Sequence, residues 1–109
     1  MGQAKLRVVL LGSGEEELPL EEMEFTIGRA LDNHLILTDR DVSEYHARLV
    51  NINSTYYVED LGSAEGTYVN GARVDEQPLL HKDRIRIGPQ LLIFEQPDKP
   101  APPAPSRAF

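Results

Sequence analysis

The sequence predicts an all-β fold, an antiparallel β-sandwich of about ten to eleven short strands, and three observations predict it. Residues 4 to 95 fall into short segments rich in Val, Ile, Leu, Tyr and Thr, separated by clusters of Gly, Asn, Asp and Ser. Arg84-Ile85-Arg86-Ile87 and Tyr56-Tyr57-Val58-Glu59 alternate with period two, so one face of each is oily and the other wet. Finally, no window of twelve residues carries an apolar stripe at i, i+3, i+4 and i+7 free of Gly or β-branched runs, which argues against any substantial helix. A sandwich follows because a single open sheet of this size would leave an apolar face in water, whereas two sheets cover each other.

Taken in order, the strands are expected as follows. Lys5 to Leu11 is closed by Gly12-Ser13-Gly14, and Glu17 to Leu20 follows it. Glu24 to Gly28 ends where Gly28-Arg29 enters the polar loop ALDNH, and His34 to Leu37 leads out of that loop. His46 to Ile52 and Thr55 to Glu59 flank Asn53-Ser54. Thr67 to Val69 and Arg73 to Val74 flank Asn70-Gly71, the strongest short hairpin signal, because both residues accept positive φ. Arg84 to Ile87 and Leu91 to Glu95 complete the set around Gly88.

The chain has 109 residues, enough for one core, and the sandwich is placed at 1–95. Five of the eight prolines fall between Pro97 and Pro105, so 96–109 is expected to be a Pro-rich disordered linker or tail. With 11 Lys+Arg against 18 Asp+Glu the net charge is -7, which repels polyanions and disfavours nucleic acid and acidic membranes as partners. The longest apolar run, Val8-Val9-Leu10-Leu11, is far short of a membrane span, and MGQAKLRVVLLGSG makes a poor signal peptide; a cytoplasmic location is expected. Without Cys there is neither a disulfide nor a thiolate nucleophile.

The residues that could carry chemistry are few. Arg29 follows a strand and projects into loop space, where a guanidinium can grip an oxyanion or pair with a local carboxylate. Ser43 lies three residues before His46, but there is no Gly-x-Ser-x-Gly elbow and no third orienting group, so an enzyme is not expected. His46 opens an apolar strand and is read as a structural residue whose ring nitrogens tie down neighbouring backbone. His34, His46 and His81 have no ligand spacing, and neither a metal nor a cofactor is expected. The loop from Gly62 to Gly66 reads either as a plain turn or as a ligand loop.

In chain order, Gly28-Arg29, Ser43-x-x-His46, Asp60-Leu61-Gly62-Ser63-x-x-Gly66-Thr67-x-x-Asn70-Gly71 and Asp83-x-Ile85-x-Ile87-Gly88 make residues 6 to 94 resemble the forkhead-associated (FHA) domain family. The resemblance implies an eleven-stranded sandwich whose loops at one end bind a phosphothreonine-containing protein or peptide without catalysis, as one module of a larger signalling or scaffold protein. By position, Arg29 resembles the family's phosphate-gripping arginine and Ser43 the hydroxyl that donates to a phosphate oxygen. Gly28, His46 and Gly66 resemble scaffold residues of the loops, Asn70-Gly71 the turn beneath them, and Asp41 a selector for the peptide's C-terminal side.

Two positions depart from the family pattern. Glu44 stands where a basic or amide side chain is common, and Glu65 where the family usually carries an Asn that holds the peptide backbone. A carboxylate offers only acceptors and repels phosphate, so the alternative is an FHA-type sandwich that binds partners independently of phosphate.

Overall fold

The alternation in Arg84-Ile85-Arg86-Ile87 becomes a strand with both isoleucines buried and both arginines in solvent. The same rule builds the rest of the computed structural model, which describes residues 4–10 and 14–97. Eleven strands follow one another: β1 (Lys5–Leu10), β2 (Gly14–Pro19), β3 (Glu24–Gly28), β4 (Leu35–Ile36), β5 (Ala47–Ile52), β6 (Thr55–Asp60), β7 (Thr67–Val69), β8 (Ala72–Val74), β9 (Glu76–Pro78), β10 (Arg84–Ile87) and β11 (Gln90–Glu95). They form a six-stranded sheet in the order β2-β1-β11-β10-β7-β8 and a five-stranded sheet in the order β4-β3-β5-β6-β9. No helix occurs among the described residues, and so none long and apolar enough to cross a membrane.

The inner faces interlock through Leu6, Val8, Ile85, Ile87, Leu92 and Phe94 from the larger sheet and Ile27, Leu49 and Val58 from the smaller, all buried. Phe94 packs its ring at 54° against Tyr56 across the sandwich, with centroids 5.4 Å apart, and the Tyr56 hydroxyl donates to the carbonyl of Leu20 at 3.2 Å. The hairpin expected at Asn70-Gly71 joins β7 to β8, with φ of 51° and 88° at its two central residues. Two positive φ values match the right-handed twist of the flanking strands.

Four features differ from the sequence expectation or extend it. β2 begins at Gly14, three residues earlier than expected, because its outer position tolerates the exposed Glu15-Glu16-Glu17 run. β9 was not expected at all: Glu76-Gln77-Pro78 has no apolar alternation, and a proline is tolerated only because this is an edge strand paired on one side with β6.

The pairing is also not wholly antiparallel, since β4 runs parallel to β3. The cause is local. His34 doubles back beside Thr26, whose backbone N–H donates to the His34 Nδ1 at 2.9 Å while the His34 N–H donates to the Thr26 hydroxyl at 3.1 Å, so the chain re-enters the sheet in the direction it left. Lastly, Gln96, where the tail is expected to start, is tied to the domain by bonds from its N–H to His81 Nδ1 and from its amide to the carbonyl of Ser54. Leu11 and positions 98–109 lie outside the described residues.

Truncating the buried ring that joins the sheets, Phe94→Ala, is expected to cost about 3–5 kcal/mol, a large share of the total stability of a small domain. Urea unfolding followed by circular dichroism measures it; a loss under 1 kcal/mol would mean that Phe94 is not central to the core.

Candidate functional site

The loops that follow β3, β4 and β6 meet at one end of the sandwich and are joined by backbone before side chains enter. Arg29 N–H donates to the carbonyl of Ser43 at 3.0 Å, and Ala30 N–H to that of Glu44 at 3.1 Å. Asn33 reinforces the second contact, its amide donating to Glu44 at 2.8 Å and to Ala30 at 2.9 Å. Gly28 sits directly beneath: a Cβ there would lie 2.2 Å from the Glu44 carbonyl oxygen, so no other residue fits without moving the loop.

His46 locks the second loop to the third. The Ser43 N–H donates to Nδ1 at 3.1 Å, which makes Nδ1 an acceptor, and Nε2 therefore carries the proton it donates to the carbonyl of Gly66 at 2.9 Å. The ring is fully buried. A third link runs from the Ala64 N–H to the Ser43 hydroxyl oxygen at 3.1 Å.

These constraints aim two side chains. Arg29 donates its Nε to the Val42 carbonyl at 2.8 Å, which fixes the guanidinium plane and leaves both terminal amino groups without a partner among the described residues, at an exposed position. Ser43, whose oxygen already accepts from Ala64, keeps its own O–H free to donate. A held fork of N–H donors and a held hydroxyl on adjacent loops, whose backbones are hydrogen-bonded to each other, suit an anion with several oxygens. Among the described residues no group of three or more His, Cys, Asp or Glu could hold a metal ion.

A sequence profile of the FHA domain matches residues 25–88, more than half of the chain and the whole span of these loops. The chain belongs to the FHA domain family. Mycobacterium tuberculosis FhaB, an FHA domain-containing protein, is 51% identical over 57 residues, which cover 52% of this chain and 37% of FhaB; the chain thus spans little more than a third of that relative. Among solved structures, one described under phosphothreonine-dependent FHA domain interactions superposes with a TM-score of 0.79 at 33% identity, covering 86% of this chain and 96% of its own. The FhaA FHA domain in complex with the intracellular domain of Rv3910 superposes with a TM-score of 0.77 at 34% identity, covering 84% of this chain and 99% of its own.

Within this FHA domain the remaining sequence-derived residues separate into two places. Glu44 acts through its carbonyl, as the acceptor for Ala30 and Asn33, while the residue is exposed. Asp41 and Glu65 line a cleft of about 270 Å³ together with Tyr68, Arg86, Gly88 and Pro89. Arg86 lines the same cleft without an ion pair to either carboxylate, and its guanidinium carbon lies 4.6 Å from the centre of the Tyr68 ring.

Four further residues contribute that the sequence did not single out. Asn33 lies in a polar loop, and Tyr68 and Arg86 come from different strands. The fourth is Asp60: one of its oxygens accepts from Gly62 N–H and Ser63 N–H at 3.0 Å each, the other from the hydroxyls of Ser63 at 2.6 Å and Thr67 at 2.7 Å. The Asp-Leu-Gly-Ser order, in which an aspartate bonds backbone two and three residues on, is the signal that could have found it.

Burial of Asp60 works against its charge, but the bonds from Ser63, Thr67 and Gly62 outweigh burial and hold the carboxyl below its usual range. Because the folded value is depressed, the stability it contributes is present above the ordinary carboxylate pKa and is lost as pH falls through the folded value. Asp60→Asn is expected to lose about 2 kcal/mol or more at pH 7 and less at pH 3, measured by denaturant unfolding at both. Equal losses at the two pH values would show that the charge of Asp60 is irrelevant. Gly28→Ala is expected to cost about 1–3 kcal/mol by pushing against the Glu44 carbonyl, and an unchanged melting temperature would mean that the loop gives way freely.

Proposed function

We propose that this FHA domain recognises phosphothreonine in a partner protein, with Arg29 gripping the phosphate through its two terminal amino groups and Ser43 donating its hydroxyl to a third oxygen. The observation that carries this reading is the pair of unused donors, each already immobilised by a second bond, on loops that His46 and Gly28 hold in place. A phosphothreonine brings nearly two negative charges and three acceptor oxygens, which such a pair of donors meets without further ordering. The solved relative described under phosphothreonine-dependent FHA interactions supports the same assignment. Nothing in this arrangement supplies a nucleophile with a base, because both nitrogens of His46 are committed to backbone.

In this reading Gly66, Asn70 and Gly71 shape the loops rather than touch ligand, Glu44 turns its side chain to solvent, and Asp41 with Glu65 faces the residues that flank the phosphothreonine. Lys or Arg close to the phosphothreonine is then preferred over Asp or Glu, by a margin that salt reduces. The domain serves as an interaction module of a longer signalling protein.

A phosphothreonine peptide library, with the unphosphorylated library as control, tests the reading. Arg29→Ala is expected to abolish selection of phosphorylated peptides, a loss of at least about tenfold in affinity, while the melting temperature falls only by what the bond to Val42 contributes. Equal binding of both libraries by the wild type would sink phosphate dependence. Glu65→Asn is expected to tighten binding of a selected phosphopeptide by about threefold or more at low salt, since it removes a repelling charge at the cleft. Unchanged affinity at low and moderate salt would mean that Glu65 does not face the ligand.

A further inference from the structure

The outer face of the six-stranded sheet is divided electrostatically along its width. On the β1 side, Arg7 is held by three carboxylates, with Glu15 at 3.2 Å, Glu17 at 3.3 Å and Glu95 at 3.0 Å, and Lys5 joins Glu17 at 3.4 Å. On the β7–β10 side the opposite holds. Arg73, Arg84 and Arg86 are exposed and none makes an ion pair among the described residues, although the chain holds 18 acidic residues against 11 basic ones.

Their positions are set by register. Tyr68 lies directly opposite Arg86 on one flank and Arg73 on the other, so the three form one cross-strand row. Arg86 stacks on Tyr68, which holds the guanidinium flat and leaves its N–H edge open. The Arg73 guanidinium lies against Gly66, where an added Cβ would come within 2.7 Å of Nε. Beside the row, Arg84, Arg86 and Leu91 line a depression of about 520 Å³ with Asn70 and Gly71. Its nearest polar groups are already engaged: Asn70 donates to Asp83 Oδ1 at 3.0 Å and accepts from the Arg84 N–H at 3.0 Å, and Asp83 Oδ2 accepts from Leu80.

We propose that this depression and row dock an acidic, extended polypeptide segment of a partner, independently of phosphate. Charge complementarity selects the occupant: three unpaired guanidinium groups on an acidic domain, with an apolar side chain between strands, accept carboxylates and one small apolar contact. Arg84 and Arg86 are two residues apart on β10, about 6.8 Å along the strand, which is also the spacing of carboxylates at alternate positions of an extended chain. Arg86 borders both regions, but the cleft adds the carboxylates of Asp41 and Glu65 whereas the depression adds Arg84, so the two regions select opposite charges.

The test uses the full chain, labelled with nitrogen-15, and an unphosphorylated peptide of alternating Glu and Ser; the same peptide with Gln for Glu is the control, and single-stranded DNA of equal charge is the rival polyanion. The Glu peptide is expected to move amide resonances of 67–74 and 84–87, to bind at least about fivefold tighter than the Gln peptide at low salt, and to lose at least that factor in R84E/R86E. R84Q/R86Q is expected to fall between, with an unchanged melting temperature, and R29A to bind the Glu peptide as the wild type does. No difference between Glu and Gln peptides, resonance changes centred on Arg29 and Ser43, indifference to R84E/R86E, or tighter binding of the DNA would each overturn the proposal.

Discussion

A buried imidazole between two loops has only two hydrogen-bonding atoms to offer, and in this domain both are spent on backbone: Nδ1 on the Ser43 N–H and Nε2 on the Gly66 carbonyl. The tautomer follows from the chemistry of those partners, since one can only donate and the other can only accept. Everything at this end of the sandwich depends on that constraint. It fixes where Ser43 stands relative to the third loop, and Ser43 in turn offers its carbonyl to Arg29 and its hydroxyl oxygen to Ala64. Gly28 and Asn33 place Glu44 on the other side of the same loop, and Asp60 folds the loop that Gly66 closes.

The energetic value of this network is preorganisation. An exposed arginine ordinarily gives up much rotamer freedom when it grips a ligand, and an isolated surface ion pair contributes little for that reason. Here the Arg29 plane is set beforehand by its bond to Val42, so less ordering remains for the ligand to bring about. Beside Arg29 itself the acceptors are main-chain carbonyls, the Ser43 hydroxyl oxygen and His46 Nδ1. Of the carboxylates, Glu44 is exposed, Asp41 and Glu65 share the cleft with Arg86, and Asp60 is taken up by bonds within its own loop.

Net charge and local charge therefore say different things about the same chain. A total of -7 governs the long-range field and discourages polyanions, yet it does not describe the surface within a few ångströms of Arg29 or of the Arg73–Tyr68–Arg86 row. Saturation of Arg7 by three glutamates on the same sheet face illustrates how readily an acidic domain neutralises its arginines when register brings the partners together.

The sequence by itself determined most of the strands and the turns between them. Period-two alternation and turn chemistry are local properties, and Arg84–Ile87, Tyr56–Glu59 and Asn70-Gly71 were legible because each element's own residues decide which face it buries and where it turns. The order of motifs also named Arg29, Ser43 and His46, whose ring nitrogens both meet backbone groups. Tertiary structure alone decided what depends on partners distant in the chain. β9 exists because β6 offers it an edge, β4 runs parallel because His34 doubles back to Thr26, and Asp41, Glu65 and Arg86 share a cleft although 24 and 21 positions separate them in order. Hydrogen bonds and charges act over a few ångströms in space, and a linear sequence records distance along the chain; only the fold converts one into the other.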